Sequence, residues 1–305
     1  MRIGPTTYRR AVAVAWFALA AIVVTGSAVR LTQSGLGCED WPGCSEDRFI
    51  PEQDFHGAIE FGNRAFSGVV ALAVAVAVLT AYRRVPRRND LLPWAWGLAA
   101  VVVAQIFLGL FTVIGDLHPF LVGSHFLLSM VTLWNAAVLW DKASAGPGVA
   151  RPLFPPSVIW HGRALVAQGA AILVVGTLVT GTGPNSGDSR AERLQFDLEA
   201  ITRVHSVMVW CFLAIAAALA IRLGRTGRTP PHLQWLLAAI VAQGALGYWQ
   251  FAVGVPPLLV GLHVIGSMVV WCLAVLTHLQ LFQRPNEEFD LEGVNDEPSL
   301  AKMTL

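Results

Sequence analysis

Three histidines sit a few residues inside long charge-free runs: His125, His205 and His263. An ionisable side chain within a membrane span is costly and marks a site by default. His205 and His263 fall at equal depth on two helices of one expected bundle. Two neutral imidazoles facing each other across a bundle core are the axial ligands an iron porphyrin takes. The plainer use of each ring is a single interhelical hydrogen bond. His125 lacks such a partner, because the corresponding place on the helix across from it holds Asn63. A haem there would have one strong ligand and an open face. Glu60 lies on the same helix face as Asn63, and Arg64 follows directly. Either these two charges pair with each other or, beside an open haem face, they handle protons and bind a propionate. Gly123, Gly261 and Gly266 flank the histidines. They either let a flat macrocycle approach or serve helix packing.

The remaining histidines are read as interfacial: His56, His118, His161, His232 and His278. His56 is the one to watch, two turns before Asn63. Cys38 and Cys44 share a short acidic loop with Trp41-Pro42. They are either a structural staple or a redox-active pair near the chemistry. Cys211 and Cys272 lie inside apolar runs and read as packing residues.

The elements that must position these groups follow from composition. Of 305 residues, 55% are hydrophobic and 13% charged, and the mean hydropathy is +0.57. Soluble domains carry about 25% charge, so an ordinary soluble enzyme is excluded. The abundance of Leu, Val, Ala and Phe excludes disorder. A net charge of +1 with no basic face argues against nucleic-acid binding. Charge-free runs of this length argue against a transmembrane barrel. Spans are expected at 11–29, 65–82 (beginning near Phe55), 91–115, 117–140, 164–187 and 204–221. The run 229–283, without one charged residue, breaks in two at Gly254-Val255-Pro256-Pro257. That makes eight helices able to cross about 30 Å of hydrocarbon. Arginines and lysines crowd every second loop, at Arg2, Arg9 and Arg10, at Arg83, Arg84, Arg87 and Arg88, at Lys142 and Arg151, at Arg222, Arg225 and Arg228, and at Arg284. Both termini are therefore expected on the cytoplasmic side. The first outer loop carries Glu39, Asp40, Glu46, Asp47, Glu52 and Asp54, and no cleavable signal peptide is evident.

The two halves resemble each other. Ala104-Gln105 through Gly109, then Leu121-Val122-Gly123-Ser124-His125, parallels Ala242-Gln243 through Gly247, then Leu259-Val260-Gly261-Leu262-His263. Val24-Thr25-Gly26 parallels Val179-Thr180-Gly181. The expected fold is all-α, eight transmembrane helices in two duplicated four-helix bundles related by an axis along the membrane normal. The divisions are 1–142 as the substrate half, 143–284 as the cofactor half and 285–305 as a disordered cytoplasmic tail.

The sequence resembles the bacterial haem A synthase family across roughly residues 10 to 283. The likeness rests on Cys38…Trp41-Pro42…Cys44, Glu60…Asn63-Arg64, Leu121–His125, Thr180–Gly183 with its Gly-Pro, Val204-His205 and Leu259–His263. It implies oxidation of a methyl group of haem O to a formyl group, giving haem A for terminal oxidase assembly in a bacterial plasma membrane. It further implies haem b ligated by His205 and His263, and a haem O site holding His125, Glu60 and Arg64. Cys38–Cys44 would be the family's loop disulfide. Partners so implied are haem O synthase, oxidase assembly factors and an unidentified electron donor. Asn63 departs from the family pattern, which has His there. Either His56 or another group substitutes, or five-coordinate iron is the working state. The competing class is a di-haem, cytochrome b-like electron carrier.

Overall fold

The computed structural model describes residues 2–38, 40–45, 47–51 and 54–285. The expectations for Glu39, Glu46, Glu52 and the tail from Asn286 onward lie outside them. Eight helices follow in chain order among the described residues: α1 (Pro5–Leu31), α2 (Phe55–Arg83), α3 (Leu92–Ile114), α4 (Pro119–Ala143), α5 (Pro156–Thr182), α6 (Leu198–Gly224), α7 (Pro231–Ala252) and α8 (Pro257–Leu279). Two-residue strands β1 (Arg151–Pro152) and β2 (Phe282–Gln283) pair antiparallel between the α4–α5 loop and the segment after α8.

Seven of these helices are long and apolar enough to cross a membrane, which makes this a multi-pass membrane protein. The exception is α7, whose 22 residues include His232, Gln234, Gln243 and Gln250 and do not reach that apolarity. Most helices run beyond their charge-free runs. α6 begins at Leu198, capped by the Asp197 carboxylate on Ala200 N–H at 2.7 Å, and carries Glu199 and Arg203 in its first turns. α5 likewise takes in His161 and Arg163. Charge limits the depth of a helix in hydrocarbon, not its length, so hydropathy alone underestimates both ends.

Small side chains are well represented in the interior, beside a larger number of leucines and valines. Ala15, Ala77, Ala81, Ala95, Ala136, Ala137 and Ala143 are buried, while Phe17, Leu72, Phe107 and Trp235 point outward. In hydrocarbon the apolar surface needs no hiding, and small residues let helix backbones approach.

The packing closes two rings. α1 touches α2 and α4, and α3 touches the same two; α5 touches α6 and α8, and α7 touches the same two. Across the seam α1 meets α8, α4 meets α5, and α4 meets α8. Exchanging each helix with the one four places along leaves this whole set unchanged. The main core crosses the seam, joining Leu133 and Met130 to Leu173, Met268, Trp271 and Val275. Trp271 Nε1 donates to the Met130 carbonyl at 2.9 Å.

The turns repeat as well. Asp116 and Leu117 take φ of 49° and 58° between α3 and α4, and Gly254 and Val255 take 84° and 58° between α7 and α8. Leu117 N–H closes back to Thr112 O at 2.9 Å, and Val255 N–H to Gln250 O at 2.7 Å. This is the longer of the two bonds that satisfy the last carbonyls of a helix. Pro119 and Pro257 then open the next helix in its first turn, where their missing N–H costs nothing.

Candidate functional site

α6 and α8 lie diagonally in their ring, so side chains on their inner faces meet across its centre. His205 and His263 do so, with ring centroids 6.5 Å apart and planes inclined at 60°. Two imidazoles bound through nitrogen at ~2 Å to a common metal ion have centres about 6 Å apart. The gap thus has the thickness of one macrocycle plane. Nδ1 of both rings is buried with no hydrogen-bond partner among the described residues, and so is Nδ1 of His125. Nδ1 of His232 and of His278 is buried in the same way, so it is the spacing of the His205–His263 pair that sets these rings apart and fits a shared group between them.

Each ring is backed by a glycine on the preceding helix. A Cβ at Gly247 would stand 3.1 Å from His263 Cε1, one at Gly176 would stand 3.3 Å from His205 Cε1, and one at Gly109 would stand 3.5 Å from His125 Cε1. Asn63 meets Gly26 in the same way, at 4.0 Å from its Nδ2. Sequence reasoning passed over Gly109, Gly176 and Gly247, although Gln105…Gly109 and Gln243…Gly247 stand at one spacing in the repeat. The structural counterpart of Gly26 is Gly176, not Gly181. Gly181 packs instead on Leu194 and Pro119. The two stretches share Val-Thr-Gly, and this local likeness outscored the true register five residues earlier. Gly123, Gly261 and Gly266 face Thr177, Leu31 and Gln243, contacts of helix packing. Gln105 and Gln243 each donate Nε2 to the backbone carbonyl of the histidine twenty residues on, at 3.2 Å and 2.6 Å.

In the first ring, α2 and α4 are the diagonal pair bearing Asn63 and His125. Thr25 Oγ1 donates to Asn63 Oδ1 at 2.8 Å, a contact no sequence motif announced. Glu60 is 4% exposed and pairs with Arg64 one turn on. The Glu60 carboxylate also accepts Cys38 N–H at 2.8 Å. The Arg64 guanidinium donates to the carbonyls of Asp40 at 2.6 Å and Gly43 at 2.8 Å. Cys38 and Cys44 form a disulfide. The two charges that open α2 therefore hold each other and clamp the cysteine loop over the end of the ring.

His56 lies apart from this cluster, its Nδ1 sharing a proton with Ser34 Oγ at 2.9 Å. His56 lines a cavity of about 370 Å³ with Asp54, Asp188 and Arg190. His118 stands 3.7 Å from Glu192, and His161 Nε2 bonds the Ile215 carbonyl at 3.0 Å. His278 packs edge-on to Phe282. Cys211 and Cys272 are free thiols. The loops of the two rings are joined at this end by Gly35 N–H to Gly187 O at 3.0 Å, and within the second ring Asn185 Nδ2 donates to Val255 O at 3.1 Å.

Residues 9–184 match the family model COX15-CtaA, described as cytochrome oxidase assembly protein. That is more than half of the chain. The chain belongs to this family. Among its relatives are proteins named haem A synthase. The one from Geobacillus kaustophilus is 32% identical over 105 residues, covering 34% of this chain and 32% of the relative. The one from Lysinibacillus sphaericus is 30% identical over 131 residues, covering 41% and 42%. The one from Geobacillus thermodenitrificans is 31% identical over 105 residues, covering 34% and 32%. The chain thus aligns with less than half the length of the curated relatives it matches. The matched segment of this COX15-CtaA member contains the cysteine loop, Glu60, Asn63, Arg64 and His125; His205 and His263 lie beyond it.

Proposed function

We propose that the protein is a haem A synthase, oxidising a methyl group of haem O to a formyl group. The observation that carries this reading is the His205–His263 pair, its rings 6.5 Å apart and each backed by a glycine. Family membership and the names of the relatives support it. In this reading all eight helices cross the membrane as two duplicated four-helix bundles. The exchange of helix contacts and the repeated left-handed turns support the duplication. α7 crosses with Gln243 bonded inside the bundle to the His263 carbonyl. Both termini lie on the cytoplasmic side of a bacterial plasma membrane, as the arginine loops require. The disulfide then lies in the compartment that permits it.

His205 and His263 hold a haem b, which supplies one-electron redox chemistry when bound. Gly176 and Gly247 leave the two rings the space they occupy, since a Cβ at either would stand 3.3 Å or 3.1 Å from a ring carbon. Haem O is the substrate of residues 1–142. His125 binds its iron from α4, and Asn63, its carbonyl oxygen occupied by Thr25, leaves the opposite side without a strong ligand. Glu60 takes and returns protons from the end of α2, next to the Cys38 N–H. Arg64 orients Glu60 and holds the disulfide loop, which covers the ring from water. Molecular oxygen from outside the chain is the oxidant. Each of its two uses places one oxygen atom on the methyl carbon and reduces the other to water with electrons from an external donor, and loss of water from the resulting gem-diol leaves the formyl group.

The test is pigment extraction from cells that express the chain together with a supply of haem O. Haem A in the extract, lost in His125→Ala, is the expected result. Haem b alone would indicate a cytochrome b-like electron carrier and overturn the proposal.

A further inference from the structure

At the end of the molecule opposite the disulfide, the chain before α1 is built into the fold. Ile3 N–H donates to Arg83 O at 3.0 Å, and Val85 N–H donates to Ile3 O at 2.9 Å, a short parallel bridge. This pairing walls a cavity of about 540 Å³ lined by Arg2, Tyr82, Arg83, Arg84, Val85 and Arg87. Four of the six are arginines and none is acidic. Arg84 is 1% exposed and donates Nη1 to Pro86 O at 2.5 Å. Tyr82 accepts Trp96 Nε1 at 2.8 Å, which leaves its own hydroxyl proton to donate. A concave site with several guanidinium groups and a phenol suits the oxygens of a phosphate.

The surface below the cavity decides what carries that phosphate. On α2, Val69, Leu72, Val76 and Leu79 are exposed and lead in a continuous helical stripe to Tyr82. Their spacing of three and four keeps them on one face. On the adjacent α3, Trp96, Val103 and Phe107 are exposed beside it. The Trp96–Tyr82 pair sits between stripe and cavity, at the level where amphipathic aromatics mark a membrane interface. We propose that the α2–α3 face binds one anionic phospholipid, its phosphate headgroup in the arginine cavity and an acyl chain along the stripe. A soluble phosphate would use the cavity and leave the stripe idle. Positive charge on this side of a membrane protein is general; on this face it lines an open pocket continuous with an apolar stripe.

The test uses the full chain, purified in a neutral detergent and titrated with phosphatidylglycerol, phosphatidylcholine or inorganic phosphate, with bound lipid counted by native mass spectrometry. One phosphatidylglycerol should be retained roughly tenfold more tightly than phosphatidylcholine. The pair Arg83→Gln and Arg87→Gln should bring the two lipids to parity. The pair Arg9→Gln and Arg10→Gln removes the same charge from the same side without touching the cavity, and should change nothing. Equal losses in both pairs would reduce the effect to general surface charge and overturn the proposal. So would inorganic phosphate that displaces the lipid at equal concentration. Binding seen only after removal of residues 286–305, whose sequence carries six carboxylates and one lysine, would assign the cavity to that segment instead. A matched melting temperature for the variants checks that they fold.

Discussion

The two rings present the same frame with one difference at its centre. In the second, two imidazoles face each other at 6.5 Å. In the first, one of the two places is an asparagine held by a threonine hydroxyl. The backing glycine is present in all four cases, so the frame is kept even where asparagine stands in place of histidine. The first ring also carries what the second lacks, a buried carboxylate–guanidinium pair clamped to a disulfide loop. A saturated iron suits electron transfer, and an iron with a vacant position suits chemistry on a bound partner. In the proposed reading, one scaffold serves both ends of a reaction by exchanging one histidine for asparagine and adding one charged pair.

The comparison breaks most sharply at the second ring. His205→Ala or His263→Ala should remove the low-spin haem signal altogether while the protein still inserts. A retained signal in both variants, read by absorption and electron paramagnetic resonance, would end the cofactor assignment.

Next in size is Glu60→Gln, which keeps an acceptor for Cys38 N–H and loses the charge. Haem A formation should fall by about 10² or more, the usual contribution of a positioned acid–base group. The low-spin haem and the disulfide should persist. Normal haem A yield, or yield lost only with an opened disulfide, would leave Glu60 a structural clamp.

Asn63→His would make the rings alike. A second low-spin centre should appear when haem O is supplied, with turnover slowed several-fold. An unchanged spectrum would mean that position 63 does not face the substrate iron.

A smaller effect is expected behind the rings. Gly247→Ala puts a methyl 3.1 Å from His263 Cε1, and Gly109→Ala puts one at 3.5 Å from His125, an ordinary contact. Overpacking of that degree costs about 1–3 kcal/mol, so Gly247→Ala should weaken haem retention while Gly109→Ala leaves it nearly intact. Equal effects, measured by haem release, would remove the glycine from the positioning role.

The smallest sits in the α5–α6 loop. A hydrogen bond from Arg190 holds the Asp188 carboxyl below the usual carboxylate range. Its folded value lies below its unfolded value near 3.9, so its stabilisation is full above that pH and is lost as the pH falls through the folded value. Asp188→Asn should cost under about 1 kcal/mol at neutral pH, and the gap between the two melting temperatures should narrow below about pH 4.

Much of this arrangement was legible in the order of residues. Charge-free runs located the helices, and Gln105…His125 against Gln243…His263 exposed the repeat. Helix ends were less legible, because Asp197, Glu199 and Arg163 belong to helices that outlast the hydrocarbon. The Thr25–Asn63 bond joins residues 38 apart on helices of different register, and no local pattern encodes it. Glu60 and Arg64 were readable as a pair, but their grip on the backbone of Asp40 and Gly43 depends on how a short loop folds back over α2. The glycines behind the rings are common residues in any membrane helix, and only their contacts distinguish them.

The contacts across the seam are their own mirror image: α1 on α8 answers α5 on α4, and α4 lies on α8 at the middle. Such a contact set is what an isologous dimer makes. A single ring would expose the α1 and α4 faces that the other ring now covers, and the contact pattern is one that two identical rings would make about a two-fold axis. A chain half this length could therefore have worked as a symmetric pair before the two copies were joined and allowed to differ. A cut in the α4–α5 loop should leave two fragments that still find each other when coexpressed.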